Sequence, residues 1–436
     1  MVRKNTFGGN IVLLIFIIVL VENYFVPNRL FMDNMGNILS INIMGYYFLF
    51  SDIIIFSFIF FSIIYLIVKM MITNKINLGP KPAVPFTSLF IFLFFLSLLF
   101  GIINSNNGFF SHFREMGYTL SLYIIFLNIK FSNIQKKNIF TLLLINSIIF
   151  TIISFFSFFY PSVFNFLPPY VSNENTLIFA ILLFNISFSK IIYEKFSILW
   201  SMLALLSFLT LIFHIFIKGP VFGLFISIIT ILLMVYSQKR IKIKLKYIIY
   251  IFLIIAFFLI WISQDNNLRN YMINTARYRY LNIGRGKYME QDLSTGRFDI
   301  WKEYLLQSAK GFGIAPQGFG HEITIKMYGT DRINKGAHNI IVYYAYHVGY
   351  ISAICLLILI LMFFIKGFRI LKNIKFSKNL LFKEYEIVGS FAFVISQFAM
   401  NMGSLRIEEA RYAWTFWFLI VFLIKEWNKL SSNYEI

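Results

Sequence analysis

The residues best suited to chemistry are one histidine and four cations that lie where apolar stretches or helices begin or end. His338 opens a long apolar run directly after the longest polar segment, and a neutral imidazole near pH 7 can accept a hydroxyl proton. The four cations are Arg297, Lys218, Arg411 and Arg114. A base for the attacking hydroxyl and cations for an anionic leaving group are what group transfer to a hydroxyl requires. These five residues therefore form the candidate site.

Each of them also has a structural interpretation. A lone histidine at a helix start is more often a hydrogen-bonding residue than a base. Lys218 can extend its ammonium to the membrane interface, although a cation between two apolar runs is costly unless it meets an anion or water. Arg411 can pair with Glu408. Taken one at a time, these residues leave both interpretations open.

The composition is typical of a membrane protein. Of 436 residues, 59% are hydrophobic, 20% are aromatic and only 13% are charged, which lies far outside the range of soluble domains. The 39 Lys and Arg exceed the 19 Asp and Glu, but they fall between apolar runs and do not indicate nucleic-acid binding. The single cysteine, Cys355, lies in an apolar run, so no disulfide framework within the chain is expected.

Apolar runs long enough to cross a bilayer occur about twelve times, since a core about 30 Å thick requires roughly 20 apolar residues per helix. We predict an all-α polytopic membrane protein with nine transmembrane helices in 1–263, a large extracytoplasmic loop in 264–337, and three helices with a short cytoplasmic tail in 338–436. The predicted runs are 10–27, 43–68, 86–103, 116–130, 139–160, 175–190, 196–217, 219–237, 246–263, 338–365, 386–404 and 411–426.

The orientation follows from the distribution of lysine and arginine. Alternate connecting segments, beginning with the N-terminal one, carry most of the 39 cations, whereas the short segments between them carry two at most. Because positive charge is retained in cytoplasmic loops, both termini are predicted to be cytoplasmic. The long loop is then periplasmic or extracellular.

That loop is predicted to contain one amphipathic helix lying across the membrane surface. Ser294 or Thr295 can cap it, and Lys310-Gly311 can end it. Its bundle-facing residues are predicted to be Phe298, Trp301, Leu305 and Ala309. The glycines in 311–318 are predicted to form a compact turn and not a nucleotide-phosphate loop, because no buried strand precedes them.

Three short motifs follow one another in this part of the chain. They are Gly296-Arg297-Phe298-Asp299-Ile300-Trp301, the glycine-rich run from Lys310 to Gly318, and Gly336-Ala337-His338-Asn339. Their order resembles the O-antigen polymerase and ligase superfamily, whose members carry a Gly-Arg-x-x-x-Trp helix, a glycine-rich turn and a His-Asn at the next membrane helix. Lys218 stands where the family has an arginine preceded by serine, and Arg114 resembles an arginine often present in the family at that position.

The resemblance implies a glycosyltransferase of the C type with about twelve transmembrane helices in the bacterial inner membrane. Its substrate would be an undecaprenyl-pyrophosphate-linked oligosaccharide, transferred with inversion to a sugar hydroxyl. His338 would be the catalytic base, and Arg297, Lys218, Arg411 and Arg114 would bind the pyrophosphate. No cofactor is implied, and no His-x-x-x-His, Cys-x-x-Cys or Asp-x-Asp motif indicates a metal site, so metal-independent transfer is expected.

Within this family the favoured function is repeat-unit polymerisation of O-antigen or capsular polysaccharide. The growing chain would join the non-reducing end of a lipid-linked repeat unit, with a flippase and a chain-length regulator as pathway partners. The nearest alternative is an O-antigen ligase, which passes the same glycan to lipid A core. A lipid or polysaccharide transporter is the alternative from another class, and it predicts polar residues spread through the mid-membrane region.

A topology reporter tests the predicted orientation. Alkaline phosphatase fused after Gly329 is expected to be active, because that residue lies in the large extracytoplasmic loop. The same enzyme fused after Lys378, in a lysine-rich connecting segment, is expected to be inactive. The reverse pair of activities would contradict this topology.

Overall fold

The computed structural model of the chain is mainly helical. It describes residues 7–25, 40–43, 46–106, 108–159, 174–194, 197–214, 218–238, 264, 269–270, 273–274, 297–311, 313–327, 330–333, 337, 339–373, 381–402 and 410–432. The helices are α1 Phe7–Phe25, α2 Phe50–Thr73, α3 Val84–Ile103, α4 Phe109–Asn128, α5 Asn133–Phe159, α6 Glu174–Tyr193, α7 Ile198–Phe213, α8 Lys218–Ser237, α9 Arg297–Ala309, α10 Ile340–His347, α11 Tyr350–Asn373, α12 Glu384–Asn401 and α13 Ala410–Ser432. Two antiparallel hairpins pair β1 Ser40–Ile43 with β2 Tyr46–Leu49, and β3 Thr324–Met327 with β4 Thr330–Ile333.

Several of these helices can cross a membrane, so the chain is a helical membrane protein, as predicted. Within the described residues, five segments are long and apolar enough: Ile53–Thr73, Lys81–Ile103, Asn133–Phe158, Gly219–Ser237 and Tyr350–Lys372. Helices lie over every predicted run except 246–263, which falls outside the described residues. The total of twelve spans stays a prediction.

In two predicted runs the structure has a hairpin or a break where a continuous helix was expected. The run 43–68 begins in the β1–β2 hairpin, where β-branched and aromatic residues favour strands, and its helix starts at Phe50. The run 338–365 consists of two helices, α10 and α11, that are separated at Val348-Gly349. Gly349 has a φ of +107°, a left-handed conformation that an α-helix cannot contain.

Helices α6 and α12 form the centre of the bundle. Every residue of α12 except Glu384, Glu386 and Ala399 is buried, and so is nearly all of α6. Their backbones approach closely at Gly389, where an added Cβ would lie 2.9 Å from the Asn185 carbonyl oxygen. Asn185 Nδ2 in turn donates to Ser227 Oγ of α8 at 2.9 Å. Small residues and interhelical hydrogen bonds of this kind hold helices together in a bilayer, where no hydrophobic effect drives helix association.

One end of the bundle is fixed by charged side chains. Lys136 Nζ near the start of α5 lies 2.7 Å from Glu426 Oε1 near the end of α13, and both side chains are buried. Lys425 Nζ donates bonds of 2.7 Å to the carbonyls of Phe126 and Ile129 at the end of α4. A cation in this position offsets the negative end of the helix dipole. Because α4 and α13 both finish here, they run in the same direction.

The direction of α12 is set at this same end. Phe382, just before α12 begins, packs on Phe140 of α5 at 5.7 Å and on Phe422 of α13 at 4.5 Å between ring centroids. We call this end of the bundle, where α5 begins, the α5 end. Helix α12 therefore finishes at the opposite end of the bundle, where α4 and α13 begin, and we call that the site end.

The glycine-rich segment 313–320 packs at the end of α3. The Phe319 amide donates to the Ser97 carbonyl at 2.9 Å. Asn106 Nδ2 donates to the carbonyls of Gln317 and Phe319, each at 2.9 Å. This part of the loop is therefore held by α3 through backbone hydrogen bonds. It is compact, as predicted, and its partners are supplied by a helix about 200 residues earlier in the chain.

The same segment also supports the break between α10 and α11. The Ile351 amide at the start of α11 donates to the Gly313 carbonyl at 3.4 Å. The Ser97 hydroxyl donates to the carbonyl of His347, the last residue of α10. Irregular backbone among membrane helices is stable only when its polar groups find protein partners, and these bonds provide them.

The contact between α3 and the loop is tested by two matched substitutions of helical glycines. Gly101→Ala is expected to destabilise the protein by about 1–3 kcal/mol, because the new methyl would overlap the Phe319 carbonyl oxygen. Gly8→Ala is the control, since its methyl would lie at an ordinary 3.7 Å from Ile129. Thermal unfolding of the detergent-purified proteins measures both, and equal Tm values would contradict the described contact.

Candidate functional site

Helix α9 carries Arg297 at its first position and ends at Ala309, with Lys310-Gly311 in the following turn, as predicted. The proposed caps Ser294 and Thr295 lie outside the described residues. The packed face was predicted incorrectly. The buried residues are Ile300, Tyr304 and Ser308, whereas Ala309 and Phe298 are exposed, Phe298 by 67%.

The neighbouring helix decides which face of α9 is buried. The Tyr304 ring lies 5.0 Å from the ring of Tyr346 on α10, and the Leu305 carbonyl accepts a bond from the Tyr350 hydroxyl at 3.2 Å. Trp301 and Leu305, which were predicted to be central to the packed face, are half-buried at its edge. Arg297 is half-buried and lies one turn before Trp301 on the same side of the helix.

Trp301 connects α9 to the third motif. Its indole Nε1 donates to the Ala337 carbonyl at 2.6 Å. Ala337 is fully buried. The Gly-Arg-x-x-x-Trp helix and the turn before α10 are thus in direct contact, although 36 residues separate their bonded members.

Asn339 connects the same turn to the end of α12. Its Oδ1 accepts from the amides of Ile341 and Val342 at 3.0 and 3.2 Å, which caps α10. Asparagine is among the strongest N-cap residues because its side chain satisfies amides that the helix leaves without a partner. Its Nδ2 donates to the Met402 carbonyl at 3.2 Å. His338 itself lies outside the described residues, between these two anchored neighbours.

Two cation-bearing helices begin at the end of the bundle that holds Ala337 and Asn339. Helix α8 starts at Lys218, and a Cβ added to Gly219 would lie 3.7 Å from Met400 Cε near the end of α12. Helix α13 starts at Ala410 with Arg411 second, also at the site end. The side chains of Lys218 and Arg411 lie outside the described set. Their helix positions place both residues at the end of the bundle that holds the 337–339 turn.

Arg114 lies in the second turn of α4. The structure does not describe the Arg114 side chain. Since α4 and α13 run in the same direction, the first turns of α4 are also at the site end. Their immediate neighbour is the glycine-rich segment, because a Cβ at Gly320 would overlap Phe109 Cα at the start of α4. The start of α4 is therefore at the site end, next to the segment 313–320, whereas Ala337 and Asn339 are held by α9 and α12.

Helix termini as well as cations contribute positive charge at the site end. Helices α8 and α13 both direct their amino termini to this end, and the positive end of each helix dipole adds to the charges of Lys218 and Arg411. In a region of low dielectric such preorganised positive charge stabilises developing negative charge more strongly than it does in water. The carboxyl end of α12, whose dipole charge has the opposite sign, lies at the same end of the bundle.

The structure describes the surroundings of three other histidines. His347 is 1% exposed, and its ring lies 4.5 Å from the Tyr343 ring and 5.0 Å from the Tyr346 ring. His214 Nδ1 lies 2.8 Å from the Thr210 carbonyl of its own helix. His321 is half-buried, with its ring 6.5 Å from that of Tyr346. Their surroundings favour packing and local hydrogen bonding.

Sequence reasoning missed the residues that hold the loop in place. Ser97, Asn104 and Asn106 bond the glycine-rich segment, with Asn104 Nδ2 donating to the Gln317 carbonyl at 3.0 Å. The available signal was the polar run Asn104-Ser105-Asn106 directly after a long apolar helix. Side-chain amides in such a position are suited to bond the backbone of a neighbouring loop.

Comparison with known proteins adds no relative. No protein-family model, no curated protein and no solved structure matches the chain.

Proposed function

We propose that the chain is a polysaccharide polymerase that transfers an undecaprenyl-pyrophosphate-linked glycan to the non-reducing end of a lipid-linked repeat unit. The observation that carries this proposal is the assembly at the site end. There Ala337 bonds to α9, which carries Arg297, and Asn339 bonds to the end of α12, while α8 and α13 begin at the same end of the bundle. The order of motifs that resembles the polymerase and ligase superfamily supports the same function.

The proposed site faces away from the cytoplasm. The α5 end contains Lys136 and Lys425, and the lysine-rich connections of the chain lie on the same side in the predicted topology. Outside the cytoplasm neither nucleotide sugars nor ATP are at hand, so the donor must arrive already activated. A polyprenyl-linked pyrophosphate sugar meets that requirement, because the lipid brings it to the membrane surface.

The reaction is a direct displacement. The acceptor hydroxyl oxygen bonds to the anomeric carbon as the bond from that carbon to the pyrophosphate oxygen breaks, so the configuration inverts. His338 accepts the hydroxyl proton, and the lipid pyrophosphate leaves as an anion. Arg297, Lys218, Arg411 and Arg114 stabilise that anion, the arginines by bidentate hydrogen bonding and the lysine as a point charge.

The glycan profile of a strain that lacks this gene tests the proposal. Polysaccharide is resolved on a gel that separates bare core, core with one repeat, and the full ladder. The polymerase predicts core with one repeat, because ligation continues without polymerisation. Bare core with long lipid-linked glycan accumulating behind it would identify a ligase, and an unchanged ladder would contradict both and favour transport.

Complementation of that strain tests the base. His338→Ala is expected to leave core with one repeat, whereas His321→Ala, a histidine of the preceding loop, is expected to restore the ladder. An epitope tag confirms that both variants reach the membrane in equal amounts. A full ladder from His338→Ala would show that His338 is not the base.

A further inference from the structure

We propose that one face of α9 docks on the headgroups of anionic phospholipids at the site end of the bundle. The docking surface consists of four exposed residues, which we call the outer face of α9: Phe298, Lys302, Leu306 and Ala309. None of the four is among the residues proposed to act in glycan transfer. The docking surface therefore does not depend on the proposed function.

The residues of α9 divide into three faces, because successive residues turn by about 100° around a helix. The buried face, centred on Tyr304, packs on the bundle. Asp299, Glu303 and Gln307 lie next to it in a polar face. The outer face occupies the remaining side, and it combines apolar residues with a lysine. A helix that met only the bundle and water would have no use for this third, apolar side.

Hydrogen bonds along the polar face suit contact with water. Glu303 Oε1 accepts from Gln307 Nε2 at 2.7 Å, and Gln307 Oε1 accepts from Lys310 Nζ at 2.7 Å. Lys310, which follows the helix, is thus drawn to the polar face. Lys302 differs, because it lies within the outer face.

The outer face exposes large apolar side chains. Phe298 is 67% exposed and Leu306 is 53% exposed. Many exposed side chains of this size lie in the segments that can cross a membrane, where lipid tails cover them, but α9 belongs to none of those segments. A cluster of exposed apolar side chains next to polar ones is typical of an interaction surface.

The depth of α9 identifies a lipid surface as the occupant. The Tyr350 hydroxyl donates to the Leu305 carbonyl at 3.2 Å, and Tyr350 is the first residue of the apolar segment Tyr350–Lys372. Tyrosine is typical of the level at which a helix enters the bilayer. The next residue, Ile351, is 41% exposed, as expected where lipid reaches α11. Helix α9 therefore lies at headgroup level, and headgroups are what its outer face meets there.

Lys302 selects the charge of those headgroups. It lies four residues from Phe298 and four from Leu306, so the three side chains are neighbours on the helix surface. Its aliphatic chain can pack beside the apolar groups while its ammonium reaches the lipid phosphates. Basic residues at a membrane surface are attracted to anionic lipids. The acidic residues Asp299 and Glu303 lie on the polar face, away from this contact.

Site-directed spin labelling of the full chain in nanodiscs tests the proposal. Single labels are attached in a Cys355→Ala background, through Phe298→Cys or Ala309→Cys on the outer face and Asp299→Cys or Glu303→Cys on the polar face. Collisions with oxygen, which concentrates in lipid, and with a water-soluble nickel chelate give the depth of each label. Labels at 298 and 309 are expected about 5–10 Å into the boundary between headgroups and acyl chains, and labels at 299 and 303 in water.

A change of lipid tests the preference for anionic headgroups. The label at 298 is compared in nanodiscs of phosphatidylcholine and in nanodiscs that also contain phosphatidylglycerol. It is expected to lie deeper in the anionic nanodiscs, and Lys302→Glu is expected to abolish that difference. Lys310→Glu is the matched control. Because Lys310 bonds to the polar face, this variant is expected to retain the difference.

Three results would overturn the proposal. If labels at 298 and 309 collide with the nickel chelate as often as the label at 303 does, the outer face is open to water or to a soluble glycan. If both are shielded from oxygen and nickel alike, protein covers the face, as in contact with a second copy of the chain. Equal depths in the two kinds of nanodisc, or an equal loss with Lys310→Glu, would contradict anionic headgroup binding through Lys302.

Discussion

The close packing of α12 within the bundle is the constraint on which the rest of the structure depends. Its residues are buried along almost its full length, and at Gly389 its backbone meets that of α6 with no room for a side chain. A helix held in this way has a fixed end, and the end of α12 is where Met402 accepts the bond from Asn339. Asn339 is therefore anchored to the end of a closely packed helix.

The loop is joined to the bundle by hydrogen bonds that a bilayer could not supply. Its glycine-rich segment bonds to Ser97 and Asn106 of the α3 region and to Ile351 at the start of α11. Helix α9 adds the bond from Trp301 to Ala337. Each of these bonds satisfies backbone that is not helical, which is the condition for irregular structure at membrane depth. The bond from Trp301 also holds α9, which begins at Arg297, at the site end.

Many of the helices could be predicted from sequence, because the thickness of a bilayer sets the length of the apolar runs that cross it. The helices over the apolar runs and the helix from Arg297 to Ala309 are examples. The buried face of α9 could not be predicted. Phe298-Trp301-Leu305 and Ile300-Tyr304-Ser308 both recur at helical spacing, and only the contact of Tyr304 with Tyr346 shows which set is buried. The bond from Asn339 to Met402 joins residues 63 apart, and no local pattern encodes such a pair. The break at Gly349 was missed because a lone glycine in an apolar run is compatible with a continuous helix.

Cysteine cross-linking tests whether the proposed base and cations meet at one end of the bundle. Cys355 is the single cysteine, so Cys355→Ala gives a background without thiols. Pairs of cysteines replace His338 together with Arg297, Lys218 or Arg411, and a bifunctional reagent spanning about 8–10 Å is applied to membranes, with Lys136 and Glu426 as the positive control pair. If they meet, cross-links form from position 338 to position 297 and to at least one of positions 218 and 411. Efficient cross-linking of the control pair with none from position 338 would show that they do not meet.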